Sequence, residues 1–226
     1  MNELFSEFRN QLLAIFDVEG VLYDAEYLPI LAEKVNKEKE IWDITKQGLQ
    51  GLINWEDGLK KRVDLLKGIS FDTCKEVADD LPIMPGAKDA CKSLKSAGWK
   101  IMAVSGGFTI MTDRLKNELD LDFVFSNELI FKNGFLDDVK VNVDSDKSKS
   151  ARIKTEEWNV SEDETVVIVD GANDIKLFDI CGLGIAFRAQ EIVKDLATTT
   201  LEEKDLSKII PIINKHYKLE LPLQTA

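Results

Sequence analysis

The sequence predicts an α/β fold: a Rossmann-like core on a mainly parallel sheet, a small helical cap inserted after the first strand, and a β-hairpin in the second half. Three observations carry this prediction. Short apolar runs end at acidic or glycine residues and alternate with helical patterns, which is how a parallel sheet flanked by helices is written. Between about residues 24 and 82 the apolar residues keep helical spacing and no convincing strand appears. Further on, Asn133-Gly134 separates two runs of alternating polarity, the strongest short-range hairpin signal. Residues 1–23 and 83–226 are therefore assigned to the core, and 24–82 to the cap.

Each element has its own reason. Leu13-Ala14-Ile15-Phe16 is an apolar run that stops at Asp17-Val18-Glu19-Gly20, as a buried strand opening into a loop does. Residues 26–36, 38–49 and 54–66 read as helices, for example through Trp55, Leu59, Val63 and Leu66, with Gly48, Gly51 and Gly68 as punctuation. Leu81-Pro82-Ile83-Met84-Pro85-Gly86 is stiff and closes this unit. A helix over 87–97 ends at Gly98. A strand over 99–104 stops at Ser105-Gly106-Gly107, and a helix over 109–119 follows. The hairpin joins 123–131 to 135–143. After it come a helix over 147–158, a buried strand over 164–169 ending at Asp170-Gly171, a helix over 172–181 and a short strand over 184–187. The tail, 205–217, reads as a helix interrupted at Pro211.

Composition narrows the function. The 226 residues allow a core domain with a small insertion. A net charge of −12 argues against a nucleic-acid surface, which needs a basic stripe. No apolar segment approaches a membrane span, and the acidic N-terminus lacks the pattern of a signal peptide, so a cytoplasmic protein is expected. Cys74, Cys91 and Cys181 are widely spaced and read as reduced packing residues. The single histidine, His216, falls in the tail helix and reads as a surface or packing residue. Its solitude removes Ser-His-Asp, Cys-His and His-rich zinc chemistry.

Four signals fall at strand ends. The first is Asp17 with Glu19, and the second is Ser105-Gly106-Gly107, a small-residue turn into a helix that offers backbone N–H groups to a phosphate. The third is a lysine in Asp144-Ser145-Asp146-Lys147-Ser148-Lys149. The fourth is Asp170-Gly171-Ala172-Asn173-Asp174, the most specific of the set. Asp17, Asp170 and Asp174 make a carboxylate cluster without histidine or cysteine, which suits Mg²⁺. A phosphate makes the ion necessary. Two like charges 4 Å apart at an effective dielectric near 20 repel by about 4 kcal/mol, and a dianion doubles that. Local positive groups, rather than the acidic surface, must hold such a substrate.

These signals, in this order, resemble the haloacid-dehalogenase-like phosphatases, and within them the phosphoserine phosphatase family, from about Leu13 to Ile213. The resemblance implies that Asp17 is a nucleophile giving an aspartyl-phosphate and a Mg²⁺ ligand. It makes Glu19 the acid and base, with its carbonyl on the metal, and Asp170 a further ligand. Asp174 would orient metal-bound water. Ser105 and Gly106 would hold the phosphoryl group, Lys149 would neutralise it, and Asn173 would reach substrate. Lys149 is chosen over Lys147 for its spacing to Ile153 and the following helix. Glu26 and Arg62 fall where the family meets the amino and carboxylate groups of the substrate, which is what a zwitterionic head group requires.

The chain departs from the family in places. Glu19 replaces an aspartate, Gly20 a Ser or Thr, and Val169 a glycine, while Leu49 and Trp55 replace methionine and phenylalanine. The extra methylene of Glu19 extends its reach by about 1.5 Å, and Gly20 would give the loop room to retract it. The expected activity is Mg²⁺-dependent hydrolysis of O-phospho-L-serine by a monomer or homodimer. The alternatives are another small phosphomonoester, such as phosphothreonine or a sugar phosphate, and a non-catalytic phosphometabolite-binding protein. An aspartate-phosphorylated receiver domain is argued against by the helical insertion and the Asp-Gly-x-Asn-Asp string.

Overall fold

A computed structural model describes residues 11–49 and 52–222. At its centre lies β1 (Leu13–Phe16), with every residue buried. The helical segment follows as α1 (Tyr27–Glu33), α2 (Glu38–Leu49), α3 (Trp55–Leu66) and α4 (Phe71–Asp80). Next come α5 (Ala87–Ser96), β2 (Lys100–Phe108), α6 (Thr109–Glu118), and the hairpin of β3 (Phe123–Lys132) and β4 (Phe135–Lys140). The chain continues through α7 (Lys147–Glu157), β5 (Thr165–Val169), a 3₁₀ segment Ala172–Ile180, β6 (Leu183–Phe187), α8 (Glu191–Lys194), β7 (Thr199–Leu201) and α9 (Ile209–Tyr217).

The strands form one sheet in the order β4-β3-β2-β1-β5-β6-β7, parallel except for the β3–β4 pair. Beside β1 the connections run outward in opposite directions, the switch point where open α/β sheets bind ligands beyond the strands' C-terminal ends. Alternate residues of β1 serve opposite faces. Ala14 and Phe16 join one buried cluster with Ala90 and Leu94 of α5 and Ile210 of α9, while Leu13 and Ile15 join another with Ala151 of α7 and Leu177. Each fully buried Leu, Ile or Phe contributes about 1.5–3 kcal/mol, so this strand is anchored from both sides.

Local chemistry explains the ends of the elements. Asn54 caps α3 by accepting from the Glu56 and Asp57 amides, and Ser70 caps α4 by accepting from Thr73 N–H. Asn133 and Gly134 have φ of 52° and 83°, as a two-residue I′ turn demands. Its strands are docked on the helical segment: Gly68 N–H donates to Leu136 O, Leu136 N–H to Ile69 O, and Phe71 N–H to Gly134 O, all at 2.8 Å.

The structure differs from the expectation at several places. β2 runs on through Ser105-Gly106-Gly107 to Phe108, with a register shift against β3 between Val104 and Phe108. α4 was not expected, because Cys74, Val77 and Ala78 are its only buried side chains and most of its other residues are charged. Gly48 lies within α2 rather than ending it, whereas Gly51 and the Leu49 side chain lie outside the described residues. Residues 172–180 are 3₁₀ rather than α-helical. Pro211 does not interrupt α9, since it sits in the first turn, where backbone N–H groups have no intrahelical acceptor. No helix among the described residues is long and apolar enough to cross a membrane.

Candidate active site

Parallel register brings the acids together. Asp17 follows β1 directly, and its N–H donates to Ile168 O of neighbouring β5 at 3.0 Å. Asp170 follows β5, and its carbonyl accepts from Gln190 N–H at 3.1 Å. The turn after it, closed by Asp174 N–H donating to Gly171 O at 3.0 Å, returns the fully buried Asp174 to the same place. Carboxylate oxygens of Asp17, Asp170 and Asp174 lie within 4.8 Å of one another.

Lys147 is the cation among them. Its Nζ donates to Asp17 Oδ1 at 2.6 Å and pairs with Asp174 Oδ1 at 2.7 Å, with 5% of the residue exposed. Burial alone would lower the lysine pKa, but the charges of Asp17 and Asp174 overcome it and raise the value. One ammonium does not balance three carboxylates. Burial, and then the charge of Asp17, pushes Asp170 up to about 7 and Asp174 well above the usual range, against the pull of Lys147. Asp174 Oδ2 is buried with no hydrogen-bond donor among the described residues. An oxygen-only donor set with excess negative charge and an unsatisfied carboxylate oxygen fits a hard divalent cation.

Glu19 lines the same cavity as Asp17. Its Oε1 accepts from Tyr27 N–H, the first amide of α1, at 2.7 Å. Its Oε2 lies beside Gly107, where an added Cβ would be 3.1 Å from it. Burial raises its pKa most, Asp17 adds to the rise, and the Tyr27 N–H opposes it. Such a group keeps its proton more readily than a free glutamate.

The Ser105-Gly107 stretch is the third wall. Ser105 is buried, and its Oγ accepts from Gly107 N–H at 2.9 Å. The loop is braced from behind by Asn127, whose Nδ2 donates to Gly106 O at 2.8 Å while its Oδ1 accepts from Asn142 N–H and Val143 N–H. The helical segment completes the enclosure. Trp55 lies over Gly106, where an added Cβ would meet its indole at 3.2 Å. The cavity of about 370 Å³ is lined by Asp17, Glu19, Glu26, Arg62, Lys147 and Asp170, with Gly106, Trp55 and Asn173 also on its walls. Its volume is that of a small-molecule site.

Glu26 and Arg62 face this cavity from the helical segment. Burial, then the charges of Glu19, Asp170 and Asp17, pushes Glu26 up to about 9, with Arg62 opposing. Arg62 has no carboxylate within 4 Å among the described residues; its hydrogen bonds there go to the neutral acceptors Gly58 O and Thr45 Oγ1, each at 3.3 Å. Burial lowers its pKa, while Glu19 and Glu26 act against that.

A family model for haloacid dehalogenase-like hydrolases matches residues 12–178 of this chain. The chain belongs to the haloacid dehalogenase-like hydrolase family. It is 36% identical over 208 residues to a phosphoserine phosphatase of Archaeoglobus fulgidus, covering 91% of this chain and 60% of that protein. With the phosphoserine phosphatase of Methanocaldococcus jannaschii it shares 35% identity over 210 residues, 91% of this chain and 99% of the relative. Among solved structures, a phospho-aspartyl intermediate analogue of phosphoserine phosphatase superposes with a TM-score of 0.86 at 33% identity, covering 90% of this chain and 99% of that one. A substrate-bound phosphoserine phosphatase complex gives the same score and identity over 91% and 99%.

Against that family frame, the structure corrects one predicted residue. Lys149 is exposed and bonded to Asp144 Oδ2 at 2.9 Å, outside the cavity. Asp146 caps α7 through Ser148 N–H, so Lys147 opens the helix and turns to the strand ends. Two residues further on, the helix has turned by about 200°, and Lys149 faces away. Gly20 also has a different reason from the one expected. Its φ is +80°, and an added Cβ would lie 2.1 Å from Asp170 Oδ2, so it makes room for Asp170 rather than for Glu19. Asp17, Glu19, Glu26, Arg62, Gly106, Asp170 and Asn173 all line the cavity, with Asp174 buried behind them. Ser105 does not line it; it is buried within β2, with its Oγ on Gly107 N–H. Asn127 was missed, since nothing local marks a polar residue in an alternating strand as a brace for a loop 21 residues earlier.

Proposed function

We propose that this hydrolase is a Mg²⁺-dependent phosphomonoesterase that converts O-phospho-L-serine to L-serine and phosphate. The observation that supports it most directly is Lys147 clamped between Asp17 and Asp174 at the end of the central strand, opposite Glu19. It is supported also by relatives of this name that match most of the chain. Three unpaired cysteines suit a reducing, cytoplasmic setting, where the L-serine formed would feed serine biosynthesis.

In this reading an Asp17 oxygen forms a bond to phosphorus as the bond from phosphorus to the serine oxygen breaks. Glu19, whose burial favours the protonated form, gives its proton to that leaving oxygen. Water then attacks the aspartyl-phosphate, Glu19 takes the water's proton, and Asp17 is released as a carboxylate. Lys147 holds Asp17 Oδ1 throughout and offsets negative charge on the phosphoryl group. Gly106 and Gly107 line the phosphoryl side of the cavity, and Asn173 its rim. Asp17, Asp170 and the Glu19 carbonyl would hold Mg²⁺, with Asp174 behind them, and the ion supplies charge neutralisation of the phosphoryl oxygens. Glu26 meets the substrate ammonium, which would draw its proton off, and Arg62 meets the carboxylate.

A phosphate-release screen over small phosphomonoesters, with and without Mg²⁺, tests this reading. Phosphoserine should lead the panel, and chelation should abolish turnover. Preference for another ester by tenfold or more overturns the substrate, and metal-independent release overturns the Mg²⁺ requirement.

A further inference from the structure

Arg62 brings five N–H donors to the cavity. Nε is committed to Gly58 O and one Nη1 proton to Thr45 Oγ1, each at 3.3 Å. Three remain for a ligand. Gly58 belongs to the same helix as Arg62, one turn back, and its carbonyl is there whatever the sequence. Thr45 is different, because it lies on α2 and reaches across to α3. Its hydroxyl donates to Ile41 O at 2.9 Å, so its single proton is spoken for and only a lone pair is left to face Arg62. A β-branched side chain with its hydroxyl tied to the backbone is fixed at χ1. At Gly58 an added Cβ would meet Ile53 Cδ1, in the link between the two helices, at 3.0 Å and Ile44 Cγ2 of α2 at 4.0 Å, so α2 lies against this face of α3.

We infer that Thr45 is a positioning residue for substrate selection: it fixes the guanidinium of Arg62 in the orientation that receives the substrate carboxylate. This rests on the reading that Arg62 meets that group. A guanidinium docked at two points before ligand arrives loses less freedom on forming a bidentate pair with a carboxylate. The neutral acceptor matters as much as the geometry, since an acidic residue in place of Thr45 would satisfy Arg62 internally and leave the ligand less to gain.

The test compares steady-state kinetics on O-phospho-L-serine and on p-nitrophenyl phosphate, which has no carboxylate. Thr45→Val removes the acceptor at constant shape and should raise the KM for phosphoserine about tenfold, as loss of a bond to a charged group does. Turnover of the aryl ester should stay within twofold, and Thr45→Ser should restore the parent KM. If Thr45→Val does not fold, Thr45→Cys, whose sulfur is a weak acceptor, carries the same expectation. Equal losses on both esters, or no loss on phosphoserine while Arg62→Ala loses it, overturn the role of Thr45. Arg62→Ala that affects both esters alike overturns instead the carboxylate reading beneath it.

Discussion

Lys147 and Arg62 both bring positive charge to the cavity, one from the strand ends and one from the helical segment, and they are held in opposite ways. Lys147 is buried in a two-sided ion pair with Asp17 and Asp174. Arg62 is moored by neutral oxygens and has its nearest acids beyond 4 Å among the described residues. In the proposed reading the first arrangement fixes a charge where bonds would be made and broken. The second keeps a charge uncommitted for whatever enters. On the same reading the catalytic groups come from the strand ends and the start of α7. The recognition groups come from the helical segment, whose packing can be retuned without touching the acids.

Substitutions can break this division, beginning with the largest effect. Glu19→Gln keeps the shape and the contact to Tyr27 N–H but removes the transferable proton. Turnover should fall by about 10²–10⁴, the usual worth of general acid–base help, and unchanged kcat would remove Glu19 from the proton path. Lys147→Ala should lower kcat on the order of 10²–10³-fold, and leaving the buried Asp17 and Asp174 without their cation should cost about 3–5 kcal/mol of stability. Lys149→Ala should do neither. Comparable losses from both would blur the sheet's claim to the catalytic charge.

A smaller effect is expected at Gly20, where Ala brings both a positive φ and a clash with Asp170. Chemical denaturation should show a loss of about 1–3 kcal/mol, and a neutral result would mean that Asp170 can move aside. A pH-dependent effect is expected at Glu26. Its carboxyl holds a proton up to about 9 in the folded chain against 4.5 ordinarily. Stability from this group is therefore full below the lower value and is lost as pH rises through the higher one. Without ligand, Glu26→Gln should gain steadily on the parent in Tm as pH rises from 5 to 9. A constant difference across that range would show that Glu26 ionises normally.

The alternation of strands and helices, the hairpin and the acid cluster were legible because each is written locally. An apolar run ending in Asp17, an Asn-Gly pair and the Asp170 to Asp174 string need no distant partner to be recognised. Lys147 was not legible for the opposite reason. Both lysines sit in one charge run, and what separates them is the cap at Asp146, which decides the rotational phase of α7. Gly20 was misread likewise, since Asp170 lies 150 residues away in sequence and only the β1–β5 pairing brings it near. Three-residue β7 and polar α4 carry too little pattern to announce themselves.

The turn at Asn133-Gly134 has a reach that its place on the periphery hides. Its strands are paired with residues 68–71, and these begin just after the last turn of α3, which carries Arg62. The hairpin therefore works as a spirit level for the junction that follows the helix carrying Arg62. A residue at 134 that refuses φ of 83° would shift the pairing, and the error would be read out as altered choice of substrate rather than as lost chemistry.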